Sequence, residues 1–511
     1  MGQKSVTFKL PTDFSDDDLR LKIKRELNLA EFNFHLNNKS LDARNKSNIH
    51  WLVNAVVDSE ELKESISPET EPLTIPVKKR TKKVIVVGNG PAGFFCAYAL
   101  QLAGFDTTMI ERGSEVGKRE LAISKFESGS GFDPMNNYAF GEGGAGTFSD
   151  GKLTSRSKHI SAERRFILEN YIKAGAPSEI AFLAHPHLGT DNLKLIVKNL
   201  RALFLEAGGT MYFETMLEEV DLKTNKMITI TTSKGSLDCD ALFIAPGHSA
   251  FETYRMLMRH GVPFRTKNFA LGSRMEHQQE LINVAQWGKK SLPGVKAAEY
   301  RLTSEADGKH AVYSFCMCPG GLVVPATAYA NNNIVNGMSH YQRDGKFANA
   351  ACVAGISPDV LAGRLVTPFE ALAEVEKLES LFYNITIDYE APACSIADFI
   401  SGKQRNYSLT SSYPLGLSVA PLWDLLPAQV SQSIRSGLID FKKKMHGFEN
   451  GILLGLESKT SSSIQVIREK TGETSGFENL YIVGEGSGFA GGIISSAADG
   501  LKIALSYIQK T

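Results

Sequence analysis

The stretch VIVVGNGPAGFFCAYALQLAGFDTTMIERG, residues 84–113, decides the fold. It reads as an apolar strand, a glycine-rich turn, a helix and a second strand, the unit from which parallel sheets with helical crossovers are built. In GNGPAG the glycines are Gly88, Gly90 and Gly93. Their spacing suits the tight bend, the close approach of backbone to a pyrophosphate, and the packing of helix on strand. Pro91 fits the first helical turn, where a missing N–H costs little, and from Ala92 onward free N–H groups and the helix dipole favour a bound anion. The helix turns Ala92, Phe95, Cys96 and Ala99 toward the core and stops at Gly104. Glu111 ends the next strand, 23 positions after Gly88. A carboxylate there meets a ribose hydroxyl and repels a 2′-phosphate, so FAD or NAD is expected rather than NADP.

Two further apolar runs, ALFIAPG at 241–247 and LYIVGEG at 480–486, end at Gly247 and Gly484 and read as parallel strands buried on both faces. After the second, GEGSGFAGGIISSAADGLKIALSYI sets Glu485 and several glycines before a helix with apolar positions Ile494, Ala497, Leu501, Ala504 and Ile508. An NAD enzyme has no need of this segment, so the expected cofactor is FAD. Between these halves, GGLVVPATAY and NNIVNGMS look like antiparallel strands of a substrate-facing unit. Ahead of them, SVTFKLP and IHWLVNAVV read as strands around the helix SDDDLRLKIKREL, and SPETEPLTIPVKKRTKK reads as a connector. The fold class expected is α/β: a Rossmann-like FAD-binding domain with an inserted mixed or antiparallel α+β substrate domain and a small N-terminal α/β domain. The expected boundaries are 1–75 for the N-terminal domain, 76–83 for a linker, 84–260 and 446–511 for the FAD-binding domain, and 261–445 for the substrate domain.

Composition narrows the partners. The 511 residues carry 56 lysines and arginines against 56 aspartates and glutamates, so no global field draws the chain to nucleic acid or to an anionic membrane. A small neutral or mixed-charge molecule is the expected partner. MGQKSVTFKL has no apolar core of signal-peptide length, Ser5 misses the myristoylation pattern, and the apolar runs fall short of a membrane span. A cytoplasmic protein is expected. Its six cysteines, scattered through a long chain, read as reduced thiols.

From about Val84 to Tyr507 the chain resembles the two-dinucleotide-binding-motif flavoproteins of the glutathione-reductase-like branch. Within them it is most similar to a group described as uncharacterised FAD-dependent or NAD(FAD)-utilising dehydrogenases. The residues that carry the likeness are FGEGGAGTFSDGKL at 140–153, HPHLGTDNL at 185–193, SRMEH at 273–277, SFCMCPGG at 314–321, VNGMS at 335–339 and the late glycine segment. The resemblance implies pyrophosphate at Gly88, Gly90 and Gly93, and the adenosine ribose at Glu111. It implies phosphate or ribose contacts from Arg112 and Arg119, and adenine at the backbone of Met216. Gly143, Gly144, Ala145, Gly146 and Thr147 replace the C-x4-C of disulfide reductases and are implied to run along the flavin. Glu485 stands where an Asp usually binds the ribitol. Gly491, Gly492 and Ile493 are implied to present N–H groups to the pyrimidine side of the isoalloxazine. The group supplies no agreed substrate.

Several residues are candidates for the chemistry. Cys316 and Cys318, two apart on a strand, point to one face and form either a redox pair or two buried thiols. Arg274 offers an anion clamp and His277 a general acid or base, although alternation puts only Arg274 and Glu276 on one face. His340, Arg343, Lys459 and Ser461 to Ser463 are weaker cases, and the similar group usually has Arg at the position of Lys459. His185 and His187 lack a third ligand and read as structural, so no metal is expected. The G-x-G-x-x-G spacing recurs only in GEGGAG at 141–146 and GSGFAG at 486–491, both inside segments already assigned to the flavin, so no dedicated nicotinamide domain is expected. Electrons therefore come from the substrate or from NAD(P)H docking transiently at the ring. Two other functions stand beside an oxidoreductase: a flavin-binding sensor or scaffold whose N-terminal domain engages a protein, and an RNA-modifying flavoprotein, which the balanced charge disfavours.

Overall fold

The computed structural model describes residues 2–63, 72–222, 228–306, 308–405 and 408–511. Part of the expected connector, residues 67–71, lies outside the described residues. At the centre is a five-stranded parallel sheet in the order Leu480–Ile482, Ala241–Ile244, Lys83–Val87, Asp106–Ile110, Thr210–Tyr212. Lys83–Val87 and Ala241–Ile244 are buried on both faces, which explains their continuous apolar runs. The helix Pro91–Leu102 follows the first of them, and the late helix Ile493–Lys510 packs against it. The two cross closely, because a Cβ at Gly500 would collide with the carbonyl of Ala92. All of Ala92 to Leu100 is buried, not one face alone. Phe95 meets Phe166 and Tyr171 of a third helix, Ser161–Lys173. The apolar positions expected in the late helix, Ile494, Ala497, Leu501, Ala504 and Ile508, are all buried. A three-stranded antiparallel meander, Leu217–Asp221, Ile228–Thr232 and Gly235–Cys239, links the strand at Thr210–Tyr212 to that at Ala241–Ile244.

The second unit is built on a seven-stranded sheet, ordered Thr303–Ser304, Val312–Cys318, Phe347–Ile356, Phe269–Gln278, Ile452–Glu457, Ala391–Ser395, Leu417–Val419. All its pairs are antiparallel except the last, which is parallel. Helices Pro368–Asn384 and Ala428–Lys444 contribute Leu372, Phe382, Ile434 and Phe441 to its core. Leu322–Pro325 and Val335–Met338 do pair antiparallel, as their sequences suggest, but as a separate two-stranded ribbon. The boundary expected at residue 445 falls too early, since Ile452–Glu457 belongs to this sheet. ILLGLE is buried throughout, so by pattern alone it cannot be told from a strand of the parallel sheet.

The N-terminal unit is a sheet in the order Gly2–Leu10, His50–Ser59, Asn33–Asp42, with the helix Asp16–Leu27 packed on it. Ser15 and Asp18 cap that helix reciprocally, which is why an acidic SDDD opens it. The strand Asn33–Asp42 has no counterpart in the sequence reading, because NFHLNNKSLD is largely polar, and none of it is fully buried. This unit is joined to the body at Lys39, whose N–H donates to Phe182 and whose carbonyl accepts from Ala184. The connector is also bonded: Lys78 and Arg80 donate backbone N–H groups to Ala103 and Gly104.

Candidate functional site

Each glycine of the first turn has a distinct surrounding. Gly88 has φ +95°, and a Cβ there would strike the carbonyl of Ala245. A Cβ at Gly93 would strike the carbonyl of Gly88, so this glycine sets the helix-to-strand packing. At Gly90 a Cβ would meet only the Cα of Gly144, at 3.9 Å. Gly90 thus faces open space at the start of Pro91–Leu102, which has no side-chain cap.

Three stretches far apart in the chain converge here. Gly143 donates its N–H to the carbonyl of Asn89, and Gly144, Ala145, Gly146 and Thr147 form a short 3-10 turn against Pro91 and Ile493. Thr147 is buried, its hydroxyl donating to Glu142, while Ala145 is exposed. The helix Ile493–Lys510 also opens without a side-chain cap from Gly492. A Cβ at Gly491 meets only Glu485 Oε1, at 3.9 Å, and one at Gly247 or Gly492 meets nothing within 4 Å. Two helix N-termini and a set of bare glycines therefore border one open trough, which fits a dinucleotide with a pyrophosphate and a large planar ring.

Around the trough the carboxylates and arginines are more committed than their sequence positions suggest. Glu111 is buried and accepts backbone N–H groups from Asn89 at 2.9 Å and from Gly113 and Gly141 at 3.0 Å, so it ties the turn to the loop ahead of residue 143. Arg119 is fully buried and donates to the carbonyls of Asn137, Tyr138, Gly141, Glu142 and Gly144. This corrects the expectation of a phosphate or ribose contact: its donors are spent on shaping that loop. Arg112 pairs with Glu252 and covers the ring of Phe140. The N–H and carbonyl of Met216 are both engaged by Ser233, so they are not free for adenine. Glu485 is half-buried, and burial pushes its carboxyl up to about 8, against the pull of Lys267.

On the seven-stranded sheet a second cluster gathers. Arg274 is fully buried and donates to Glu457 at 2.8 Å, Asn349 at 2.8 Å and Asn336 at 3.1 Å. It also donates to the carbonyl of Cys316 at 2.9 Å and reaches Cys318 Sγ at 3.6 Å. Close by, the buried Asp150 accepts from Arg343 at 2.6 Å and pairs with Lys152. Burial opposes its charge, but Lys152 and Arg343 hold its carboxyl far below the usual range. Glu276 shares the face of Arg274, as alternation requires, and accepts the N–H of Ser412 at 3.1 Å. His277 does not join them: it points the other way, donating Nε2–H to the carbonyl of Phe448 at 2.8 Å beside Tyr300. Burial lowers its pKa to about 4, so it is a neutral core side chain rather than an acid or base.

The weaker candidates separate as well. Lys459 pairs with Glu379 at 2.8 Å under Phe251, and His340 is exposed. His187 is buried on the carbonyl of Tyr341, and among the described residues no group of His, Cys, Asp and Glu could hold a metal. Sequence reasoning passed over Asp150, Lys152 and Glu457. The first two were visible as a charged pair closing FGEGGAGTFSDGKL, directly after the glycine segment implied to run along the flavin.

Residues 82–281 match the family described as pyridine nucleotide-disulphide oxidoreductase, and residues 268–460 match the FAD-dependent protein, C-terminal domain-like family. An uncharacterized protein of Clostridium beijerinckii is 38% identical over 520 residues, 97% of each chain. This chain belongs to an FAD-dependent oxidoreductase family. FAD is the cofactor of such an oxidoreductase, and the bare trough is where this chain's residues fit it. Among solved structures, the glycine oxidase of Bacillus cereus is 11% identical over 84% of this chain and 95% of its own, with a TM-score of 0.34. A thioredoxin reductase of Gloeobacter violaceus is 16% identical over 33% of this chain and 35% of its own, with a TM-score of 0.20. Among the described residues of the oxidoreductase no helix is long and apolar enough to cross a membrane.

Proposed function

We propose that this FAD-dependent oxidoreductase moves a hydride or an electron pair between a small molecule and the bound flavin. The observation that carries the proposal is the convergence of Gly90, Gly144 and Ile493 on one trough flanked by two uncapped helix N-termini. FAD supplies the two-electron chemistry, and the chain supplies binding, orientation and electrostatics. In this reading Ala92 and Gly93 offer N–H groups to the pyrophosphate, and Gly492 and Ile493 offer theirs to the pyrimidine edge of the ring, the Gly491 N–H being donated to Ser495 Oγ. The remaining acceptor capacity of Glu111 serves the ribose. Glu485, held protonated by burial, donates a hydrogen bond to the ribitol or passes a proton beside the ring. The small molecule enters from the side of the seven-stranded sheet, and NAD(P)H docks transiently when reducing equivalents are needed.

The test is an anaerobic titration of the purified yellow protein with NADH, NADPH and small thiols, following the visible absorbance of the flavin. Bleaching by one donor and recovery with an acceptor are expected. A protein that cannot be loaded with FAD, or a bound flavin that none of these donors bleaches, would overturn the reading.

A further inference from the structure

The strand Val312–Cys318 pairs in register with Phe347–Ile356 as far as Phe315, then slips, and pairing resumes at Cys318 opposite Asn349. Cys316, in the slipped stretch, has φ +46°, a left-handed conformation uncommon for this residue type. Held strain of this kind clusters at functional sites. The Cys318 thiol donates to the Cys316 carbonyl at 3.3 Å. Cys318 is buried, whereas Cys316 is partly open to solvent; the other four cysteines are all buried.

Cations face the pair. Arg274 grips the Cys316 carbonyl and reaches the Cys318 sulfur, and the Lys152 ammonium is close enough for its charge to act on both thiols. Arg343 acts on Cys318 from further along the same buried network. The acids in range are Asp150 and Glu457, each already paired with a cation, and Glu485 at the FAD trough. Tyr300 is the remaining titratable neighbour.

We propose that Cys316 and Cys318 form a thiol–disulfide exchange pair for small disulfide substrates, with Cys316 as the attacking thiolate and Cys318 as the resolving thiol. The Cys318 hydrogen bond, with Lys152 and Arg274, outweighs burial and draws the Cys316 thiol below the usual thiol range, while that hydrogen bond and burial push Cys318 up. In the exchange, the Cys316 thiolate attacks one sulfur of the substrate, forming a mixed disulfide and expelling one thiolate. Cys318 then loses its proton and its sulfur attacks Cys316 Sγ, expelling the second thiolate. One substrate S–S bond breaks, one protein S–S bond forms, and two electrons pass to the substrate. The two protons given up by the cysteines balance the two product thiols. Restoring the pair takes two electrons and two protons, from a small dithiol or from the reduced cofactor next to it. Only that last supply rests on the FAD reading.

The test uses the full-length, FAD-loaded protein. Iodoacetamide labelling across pH, mapped by peptide mass spectrometry, is expected to modify Cys316 first, and to reach its half-maximal rate at least one pH unit below the ordinary thiol pKa of about 8.5. Glutathione disulfide is expected to remove two hydrogens from the peptide holding both cysteines, and Cys318→Ser to trap glutathione on Cys316. Labelling of Cys316 that is half-maximal only near an ordinary thiol pKa of about 8.5, or no oxidation of the pair by excess glutathione disulfide, would overturn the proposal. If Cys318→Ser does not fold, the wild-type mass change decides. Flavin content is read on the same sample: a colourless protein with an exchanging pair would sink the FAD reading alone, and a yellow protein with inert thiols would sink the pair alone.

Discussion

Glu111 is held by three backbone N–H groups, so its loss is felt in the apoprotein as well as in cofactor binding. Glu111→Lys leaves three buried donors unpaired, at about 1–3 kcal/mol each when nothing relaxes. Both the melting temperature and the flavin retained after dialysis are expected to fall, with Glu111→Gln between the two. Unchanged retention in a folded Glu111→Lys protein would remove it from the ribose site. His277 gives a pH signature. Its folded pKa of about 4 lies below the ordinary value of 6.5, so its contribution is fully present above pH 6.5 and is lost as pH falls toward 4. Linkage puts the loss between neutral pH and pH 5 at about 2 kcal/mol. Urea unfolding of His277→Gln is expected to show a pH slope shallower by that amount. At this scale the sequence was legible where alternation or spacing governs: Arg274 beside Glu276, and His277 turned away. It was silent where a side chain's partner comes from elsewhere. The Cys316 bulge depends on the register of Phe347–Ile356, and the five carbonyls around Arg119 come from a loop with no periodic pattern.

Among elements, the strand, turn and helix at 83–102 could be read directly, because every glycine there answers to a local need. Gly90 and Gly93 test that division. Gly90 has φ −76°, which alanine adopts freely, and its Cβ would enter only the trough. Gly90→Ala is expected to fold with nearly the wild-type melting temperature and to bind FAD at least about tenfold more weakly, roughly 1.4 kcal/mol, measured by flavin fluorescence during apoprotein titration. Gly93→Ala drives its Cβ into the Gly88 carbonyl and is expected to cost about 1–3 kcal/mol or more in stability, seen as a lower melting temperature before any cofactor is added. Equal behaviour of the two variants would contradict the roles assigned here. Elements without a strong pattern were less legible. The polar strand Asn33–Asp42 is specified by its partner His50–Ser59 rather than by its own composition, and the all-buried Ile452–Glu457 gives no hint of which sheet will receive it.

On the scale of the whole molecule, the N-terminal unit touches the body at Lys39, near Gly294 through Thr12, beside Gly288 through Lys46, and through Ala43 and Ile49 on the core of the seven-stranded sheet, and none of these points lines the trough. Removal of residues 1–75 is expected to leave FAD bound while lowering thermal stability, because the connector bonds of Lys78 and Arg80 stay with the body. Loss of flavin from the truncated protein would instead mean that the unit supports the cofactor fold. The trough has a further consequence, for the order of events during synthesis. Gly90 and Gly491, on its two sides, are 401 positions apart. At typical elongation rates of about 5–20 residues per second, the first turn waits roughly 20–80 s for its counterpart. During that interval Pro91–Leu102 lacks the helix that covers Ala92, and Ala241–Ile244 is a bare edge strand. Flavin capture therefore waits until synthesis has passed the late helix, and nascent chains stalled before residue 493 are expected to emerge colourless and to need shielding from one another.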